Sequence, residues 1–330
     1  MDIHTLAPIV SNDYPQNWNA FLDWFASEDA CLAYLEKLRW PEGFTCPSCG
    51  QRGKPHRADR GRLLCRYCRF QCSVTAGTIF SKTRTPLRVW LAAAWYLTNQ
   101  KQGVSALGLQ RVLGLGSYQT AWMILHRYRR AMVRPGREKL QGLVEVDETY
   151  LDMSDGQPGD RRKRKSHTQR VLIILAVEMK VPRGFGRIRL RRIDDDTKKN
   201  VLPFIHDSIE RGSNVRTDGA GMYVKLHELG YEHDRKVMLG SQTPAHTSMP
   251  GVHRVASLIK RWLLGTHHGA VRAEQLDAYL DEFVFRFNRR SSRSRGMLFY
   301  RLLQQAVVTA PVTYENVIAK KPREENAGWS

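Results

Sequence analysis

Two pairs of cysteines near the start of this 330-residue chain constrain its fold more than any other feature. CPSC at residues 46–49 and CRYC at residues 65–68 make the pattern C-x2-C-x15-C-x2-C. Each pair lets two sulfur atoms approach one ion, and two pairs at this separation suit four thiolates around tetrahedral zinc. The pattern predicts a zinc ribbon over residues 41–75. Its predicted zinc ligands are Cys46, Cys49, Cys65 and Cys68.

Other residues compete with this assignment. The alternative for the cluster as a whole is a set of free buried cysteines. Cys72 and His56 are close enough in sequence to act as ligands, but we expect neither to do so. Cys31 lies in a helical pattern and is expected in the core.

The predicted ribbon is small and basic. A module of this size buries little apolar surface, so we expect zinc to play a structural role and to supply most of the folding free energy. The basic surface favours contact with DNA, although contact with a protein stays open. The basic residues are Arg52, Lys54, Arg57, Arg60, Arg62, Arg66 and Arg69.

The whole chain is strongly basic. It has 52 Lys and Arg residues against 32 Asp and Glu, a formal net charge of +20 at pH 7. An excess of this size favours a polyanionic partner, most simply nucleic acid, over a bias for solubility. No apolar run is long enough to span a membrane, and the N-terminus has no signal-peptide core. We therefore expect a cytoplasmic protein with reduced cysteines and no membrane partner.

Residues 84–135 are predicted to form a helix-turn-helix-like DNA-binding region. VSALGLQRVLG, LGS and YQTAWMILHRYRR correspond to a first helix, a turn and a second helix. In this motif the start of the second helix meets base edges, and nearby cations meet phosphates. The predicted base contacts are Ser117, which would also cap the second helix, Gln119 and Thr120; the predicted phosphate contacts are Arg127, Arg129 and Arg130. A plain helical hairpin is the alternative.

From residue 142 the pattern changes to strands, and then to strands that alternate with helices. The apolar run at residues 171–177 predicts a strand buried on both faces, and later segments predict a helix over residues 222–229 and a strand near residues 236–239. This order favours a mixed α/β sheet flanked by helices. In VEVDETY, alternation places Asp147 on the strand face opposite to Val144 and Val146. In SNVRTDGAGMY, Asp218 ends a short strand before a glycine turn. Aspartates on neighbouring strands can hold Mg²⁺, although each one alone is weak evidence.

The stretch HRVASLIK, residues 253–260, begins with a histidine and ends with a lysine. Seven residues make nearly two helical turns, so His253 and Lys260 share one face of a helix. Spacing alone leaves two interpretations open, a polar face of a surface helix and the edge of an active site.

These features together resemble the IS1595-like (ISXO2-type) bacterial insertion-sequence transposases. The resemblance covers roughly residues 20–305, and its motifs are CPSCG, CRYC, VEVDETYL, TDGAGMY, KRWLLGTHHG and YLDEFVFRFNRR. It implies a multidomain α+β protein in which a zinc ribbon and a helical DNA-binding region precede an RNase H-like α/β catalytic domain. It also implies DNA cleavage at terminal inverted repeats and strand transfer to target DNA, with Mg²⁺ or Mn²⁺ held by a DDE-type triad.

Residue by residue, the resemblance implies that Asp147 and Asp218 are the first two acidic corners and Mg²⁺ ligands. His253 matches the third corner, where the strict pattern has glutamate, and Lys260 matches the basic residue that follows. His253 could bind metal weakly, position water or act as a general acid or base. His246, Glu228 and Glu232 are alternative ligands. The further residues expected to contact DNA are Arg161, Arg162, Lys163, Arg164, Lys165, Lys260 and Arg261.

The sequence thus predicts a DNA transposase that acts on double-stranded DNA, as a homodimer or larger assembly, in the bacterial nucleoid. The predicted domains are an N-terminal helical segment (1–40), the ribbon (41–75), the helix-turn-helix-like region (84–135), the catalytic domain (142–310) and a tail (311–330). Three alternatives remain: a catalytically decayed DNA-binding protein or regulator, a nuclease that cannot join strands, and an interaction module of the transcription machinery.

Overall fold

The computed structural model describes residues 8–154, 168–180, 182–236 and 245–318. The chain divides into two compact units. The first contains Met1–Arg134 and Ser291–Val317, and the second is built from Pro135–Arg290.

The first unit begins with two helices and a small antiparallel sheet. Ser27 caps the second helix, as its position before the helical pattern indicates, because its hydroxyl accepts a hydrogen bond from the Ala30 N–H at 3.2 Å. The sheet has the strand order β1-β2-β3. The elements are α1 (Trp18–Trp24), α2 (Glu28–Arg39), β1 (His56–Ala58), β2 (Arg62–Leu64) and β3 (Gln71–Ser73).

Three helices follow where the sequence predicts the helix-turn-helix-like region. They are α3 (Leu87–Asn99), α4 (Ala106–Leu113) and α5 (Tyr118–Ala131). Gly114 ends α4 in the left-handed conformation, φ +61°, which glycine adopts at little cost. Ser117 occupies the predicted position before α5, but its side chain makes no capping hydrogen bond.

The second unit is a five-stranded mixed sheet with helices on both faces. The strand order is β6-β5-β4-β7-β8. β4, β5 and β6 pair antiparallel, whereas β7 runs parallel to both β4 and β8. The elements are β4 (Leu143–Ser154), β5 (Thr168–Met179), β6 (Phe185–Arg192), α6 (Lys198–Ser208), β7 (Asn214–Thr217), β8 (Glu232–Arg235), α7 (Ala245–Ser248), α8 (Pro250–His267) and α9 (Leu276–Asn288).

The sheet is buried on both faces. Val144 and Val146 face a core that includes residues of α6, while Leu151 and Met153 face a core that includes residues of α8 and α9. The apolar run at residues 171–177 alternates between these two cores. It is therefore a strand buried on both sides, as the sequence predicts.

Two elements of the second unit differ from the prediction. Instead of a helix over residues 222–229, the chain forms a short 3-10 helix, Gly221–Tyr223, followed by turns. β8 lies before the strand expected near residues 236–239, most of which falls outside the described residues. β8 has the polar sequence EHDR and, among the described strands, pairs with β7 alone, so no apolar pattern marks it.

The predicted catalytic domain ends at residue 310, but the second unit ends at Arg290. The next helix, α10 (Arg295–Ala306), packs against α2, α3 and α5. Its fully buried Phe299 meets the rings of Phe21, Phe25 and Trp95. This aromatic cluster places α10 in the first unit, so the division between the compact units falls at residue 290 while the predicted domain bounds stay a prediction. A final helix, α11 (Tyr314–Ile318), lies in the predicted tail.

Candidate active site and metal centres

The four predicted zinc ligands come together in the ribbon. The sulfur atoms of Cys46, Cys49, Cys65 and Cys68 all lie within 4.8 Å of one another. The Cys46–Cys68 and Cys49–Cys65 sulfur distances are 3.6 and 3.8 Å. Thiolates at the usual Zn–S distance of about 2.3 Å in a tetrahedron are separated by about 3.8 Å. The donor set and its spacing therefore fit a structural zinc ion.

The two cysteine pairs have matching backbone turns. Gly50 and Arg69, which follow the second cysteine of each pair, both have positive φ, +71° and +59°. Their N–H groups donate to the carbonyls of Cys46 and Cys65 at 2.9 and 3.2 Å. Each turn folds its pair of sulfurs toward one point. Cys72, buried on β3, is not part of the cluster among the described residues, nor is His56.

The basic surface of the ribbon is partly neutralised. Arg57 forms two hydrogen bonds with the Glu36 carboxylate, at 2.9 and 3.1 Å, and Arg52 pairs with Glu42 at 2.7 Å. These pairs are exposed, so each contributes little to stability. Arg66 and Arg69, beside the second cysteine pair, are exposed to solvent.

Asp147 and Asp218 lie toward the same end of two parallel neighbours. Glu145 on β4 is in register with Arg216 on β7, and each aspartate follows its strand partner by two residues. Asp147 faces the core that contains α8 residues, as alternation predicts. Burial raises the pKa of Asp147 to about 6, and the nearby charge of Asp218 adds to this effect.

Each aspartate is oriented by a backbone N–H. Asp147 Oδ1 accepts from the Glu148 N–H, and Asp218 Oδ1 accepts from the Ala220 N–H, both at 2.9 Å. Gly219, at φ +84°, makes the turn after Asp218. Among the described residues, no ion pair neutralises either carboxylate. A pair of mutually repelling oxygen donors is a suitable environment for a divalent cation.

Glu148 is a third carboxylate that the sequence analysis does not predict. The Tyr223 hydroxyl donates to its Oε1. Burial raises the pKa of Glu148 to about 7 against the effect of this hydrogen bond, and Asp147, Asp218 and Asp196 contribute further. Alternation assigns Glu148 to the opposite strand face from Asp147, so the sequence pattern did not indicate that the two carboxylates belong to one site. The adjacent Asp-Glu pair within a buried strand was the available signal.

The start of α8 is docked on β4. Glu145 Oε2 accepts from the N–H groups of Gly251 and Val252 at 2.7 and 3.1 Å. Burial raises the pKa of Glu145, opposed by these N–H groups, by Arg216 and by His253. His253 is thus within electrostatic reach of Glu145, which precedes Asp147 by two residues on the same strand face.

The remaining candidates near this site differ in accessibility. His253 is half-buried, whereas Lys260 and Arg261 are exposed. Glu228 pairs with Lys225 at 3.5 Å, and Glu232 accepts a hydrogen bond from Asn214. The five basic residues at 161–165 and the side chain of His246 lie outside the described residues.

The structure corrects one of the predicted phosphate contacts on α5, and the side chain of a second forms hydrogen bonds within the first unit. Arg129 is 1% exposed, so its guanidinium cannot reach DNA. Arg127 is half-buried and donates to the carbonyls of Ile79, Ser81 and Val312, at 3.0, 3.3 and 3.2 Å. It therefore ties loops together within the first unit. The spacing of buried residues along α5 places both arginines on its packed sides.

The other predicted contacts of α5 are accessible. Gln119 and Arg130 are exposed, while Ser117 and Thr120 are half-buried. A cavity of about 400 Å³ lies beside the start of α5. Its lining includes Lys82, Arg84, Gln119, Thr120 and Arg127.

Two family models match parts of this chain. The family described as transposase zinc-ribbon domain matches residues 26–71, and the ISXO2-like transposase domain matches residues 139–288. An uncharacterized protein in transposable element ISH50 of Halobacterium salinarum is 27% identical over 279 residues, covering 79% of this chain and 91% of the relative. That relative is archaeal, so the bacterial location expected from the sequence stays a prediction.

One solved structure is also similar. The crystal structure of a pre-cleavage Mos1 transpososome shares 12% identity and covers 68% of this chain and 79% of its own, with a TM-score of 0.23. No described helix is both long and apolar enough to cross a membrane.

The two matched regions contain the four-cysteine cluster and both aspartates described above. Residues 26–71 and 139–288 are thus the zinc ribbon and the transposase domain of the IS1595, ISXO2-like transposase family.

Proposed function

We propose that this protein is the transposase of an insertion sequence. It binds the terminal inverted repeats of its element in double-stranded DNA, cuts at the element ends and joins them to target DNA. The second unit is its RNase H-like DDE-type domain. The observation that carries the proposal is the placement of Asp147 and Asp218 toward one end of parallel strands, beside the docked start of α8.

Asp147 and Asp218 would hold Mg²⁺ or Mn²⁺. A divalent ion there would supply Lewis-acid activation of the attacking oxygen and stabilise the leaving oxygen of a phosphodiester. The carboxylates supply the oxygen ligands that Mg²⁺ prefers, whereas the imidazole of His253 suits Mn²⁺ better than Mg²⁺. His253 at the third corner would complete the ligand set, position water or carry a proton.

The reaction has two phosphoryl-transfer steps. Water attacks a phosphodiester at the element end and breaks its P–O bond, which leaves a 3′-hydroxyl. That hydroxyl then attacks a target phosphodiester and displaces its 3′-oxygen, so the element is joined to the target. No covalent protein intermediate is required. Lys260 and Arg261, exposed on α8, would contact the DNA backbone.

The helical region and the ribbon would supply DNA binding. Ser117, Gln119 and Thr120, at the start of α5, would contact bases, and Arg130 would contact a phosphate. Joining two element ends in one complex requires two active sites, so we infer at least a homodimer on DNA.

The test is an end-cleavage and joining assay on the terminal DNA of the element, in Mg²⁺ and in Mn²⁺. Asp218→Ala is expected to abolish both steps, and His253→Ala to abolish them if the histidine belongs to the catalytic set. Loss in Asp218→Ala alone would remove His253 from that set. Specific DNA binding by a parent protein that cuts in neither metal would favour a decayed, regulatory protein, and cutting without joining would favour a nuclease.

A further inference from the structure

Glu145 is a fully buried carboxylate that the reaction above does not use. Its Oε2 accepts from the N–H groups of Gly251 and Val252, in the first turn of α8. N–H groups in the first turn of a helix lack partners within the helix. Met249, at the N-cap position, offers no side-chain capping bond. Glu145 therefore caps α8 from a strand 106 residues earlier in the chain.

Arg216 connects this cap to two further strands. Its Nη1 lies 3.6 Å from Glu145 Oε1 across the β4–β7 pair. Its Nε donates to Asp234 Oδ2 on β8 at 2.7 Å. A continuous polar connection thus runs from β8 through β7 and β4 to the start of α8. The neighbouring arginine offsets part of the cost of burying Glu145.

Three members of this connection each lie two residues before a proposed catalytic corner. Glu145 precedes Asp147, Arg216 precedes Asp218, and Gly251 precedes His253. Along β4, two residues return to the same face about 6.6 Å away, so Asp147 follows Glu145 on one side of the sheet. Gly251 and His253 both lie in the first turn of α8, where the helical backbone fixes one relative to the other. A fixed contact among the first three residues therefore limits the relative positions of the three corners that follow them.

We propose that the Glu145–Arg216 pair is a positioning device that sets the start of α8, and with it His253, relative to Asp147 and Asp218. This inference rests on the proposed transposase function. Glu145 and Arg216 act through the backbone and touch neither DNA nor the reacting atoms. The three corners come from two strands and a helix far apart in sequence, so a direct link between those elements maintains their alignment.

Gly251 shows how close the contact is. A Cβ at this position would lie 2.8 Å from Glu145 Oε2 and 2.7 Å from the Met179 sulfur. Contacts this short force a shift of α8 or of the Glu145 and Met179 side chains, so Gly251→Ala perturbs the contact between Glu145 and the start of α8 without adding or removing a charge. On the same helix, a Cβ at Gly265 would meet nothing within 4 Å. Gly265→Ala is therefore the matched control.

A second variant removes the charge instead. Glu145→Gln keeps the size of the side chain but directs an N–H₂ group toward donors. Its matched control is Glu178→Gln on β5. The Glu178 carboxylate also accepts from two backbone N–H groups, those of Gln141 and Arg187, and pairs with the Arg187 guanidinium at 2.6 Å. Both substitutions lose a carboxylate–arginine pair, but only one lies beside the proposed site.

The experiment combines two measurements on the full-length protein. Hydrogen exchange reports whether the Gly251 and Val252 amides are protected, and single-turnover cleavage at saturating DNA and Mn²⁺ reports the rate. We expect Glu145→Gln to speed exchange at these amides at least tenfold. Displacement of a reacting group by about 1 Å costs about 100-fold in rate, so we expect this loss in Glu145→Gln and Gly251→Ala, with the Kd for DNA unchanged. The two controls should stay within threefold of the parent.

The outcomes separate the inference from the function on which it rests. Parent-like rates in Glu145→Gln and Gly251→Ala would overturn the positioning role while the parent remains an active transposase. Equal rate losses in Glu178→Gln would also overturn it, because the effect would then be one of general stability. A parent protein that cuts DNA in neither Mg²⁺ nor Mn²⁺ refutes the proposed function. Hydrogen exchange at the Gly251 and Val252 amides then tests only whether Glu145 caps α8. Unchanged protection in Glu145→Gln would overturn the inference in that case as well.

Discussion

Asp147→Asn is expected to stabilise the metal-free protein. The pKa of Asp147 is raised from its ordinary value of 3.8 to about 6 by burial and by the charge of Asp218. That difference corresponds to roughly 3 kcal/mol of unfavourable free energy for the ionised carboxylate in the folded state. The amide removes the charge and keeps an oxygen that can accept from the Glu148 N–H. We therefore expect a gain of about 1–3 kcal/mol at pH 7.5.

The gain should depend on pH in a specific direction. The folded state binds the Asp147 proton more tightly than the unfolded state, so the parent loses stability as pH rises from about 4 through 6. The difference between variant and parent should be absent near pH 4 and complete above pH 7. Added Mg²⁺ should stabilise the parent more than the variant and narrow the difference.

The assay is urea unfolding in EDTA. Hydrogen exchange of the β5 amides is the readout, because it reports the unfolding of the second unit. Asp152→Asn, at an exposed position near the end of the same strand, is the control and should change the free energy of unfolding by less than about 0.5 kcal/mol. Equal stability of Asp147→Asn and the parent at pH 7.5, or a gain that persists at pH 4, would refute the electrostatic reasoning.

Three further outcomes are expected. Metal chelation, or Cys49→Ser, should abolish amide protection in the ribbon and leave the second unit protected, because zinc supplies the ribbon's folding energy; a protected apo ribbon would contradict this. Arg129→Ala should lower the free energy of unfolding by about 2–4 kcal/mol, since the side chain is buried. Arg130→Ala should instead weaken DNA binding in anisotropy titrations and reduce the salt slope by about 1; the reverse pattern would restore Arg129 as a DNA contact. Gly114→Ala should cost about 1 kcal/mol in urea unfolding because of its positive φ, whereas Gly116→Ala, which has neither a positive φ nor a neighbour within 4 Å, should cost less; equal costs would exclude backbone strain as the cause.

Local patterns were sufficient for the ribbon and the central strands. The spacing of four cysteines specifies a small module almost completely, because the ligands and turns lie within a short stretch. Alternation in VEVDETY correctly separated Asp147 from Val144 and Val146, since a strand has only two faces.

The sequence predictions are wrong where a polar residue is buried or where a strand is polar. HRYRR looked like an exposed basic end of α5, yet Arg129 follows the buried Leu125 by four residues and therefore lies on the packed stripe. Helical periodicity carries this signal, because buried residues recur every three to four positions along α5 whatever their charge. β8 gave no signal because an edge strand does not need an apolar pattern.

The Glu145 cap could not be predicted, because it depends on a contact between residues far apart in the chain. Its placement also bears on the histidine at the third corner. Imidazole is a weaker ligand for Mg²⁺ than carboxylate, so residue 253 contributes less to holding α8 against the proposed metal site than a glutamate would. The alignment of α8 would then depend more on the contact of Glu145 with Gly251 and Val252, which is made to backbone N–H groups and not to the side chain at position 253. Chemistry at residue 253 and geometry at residue 251 are therefore separable, and substitution at each position tests one without the other.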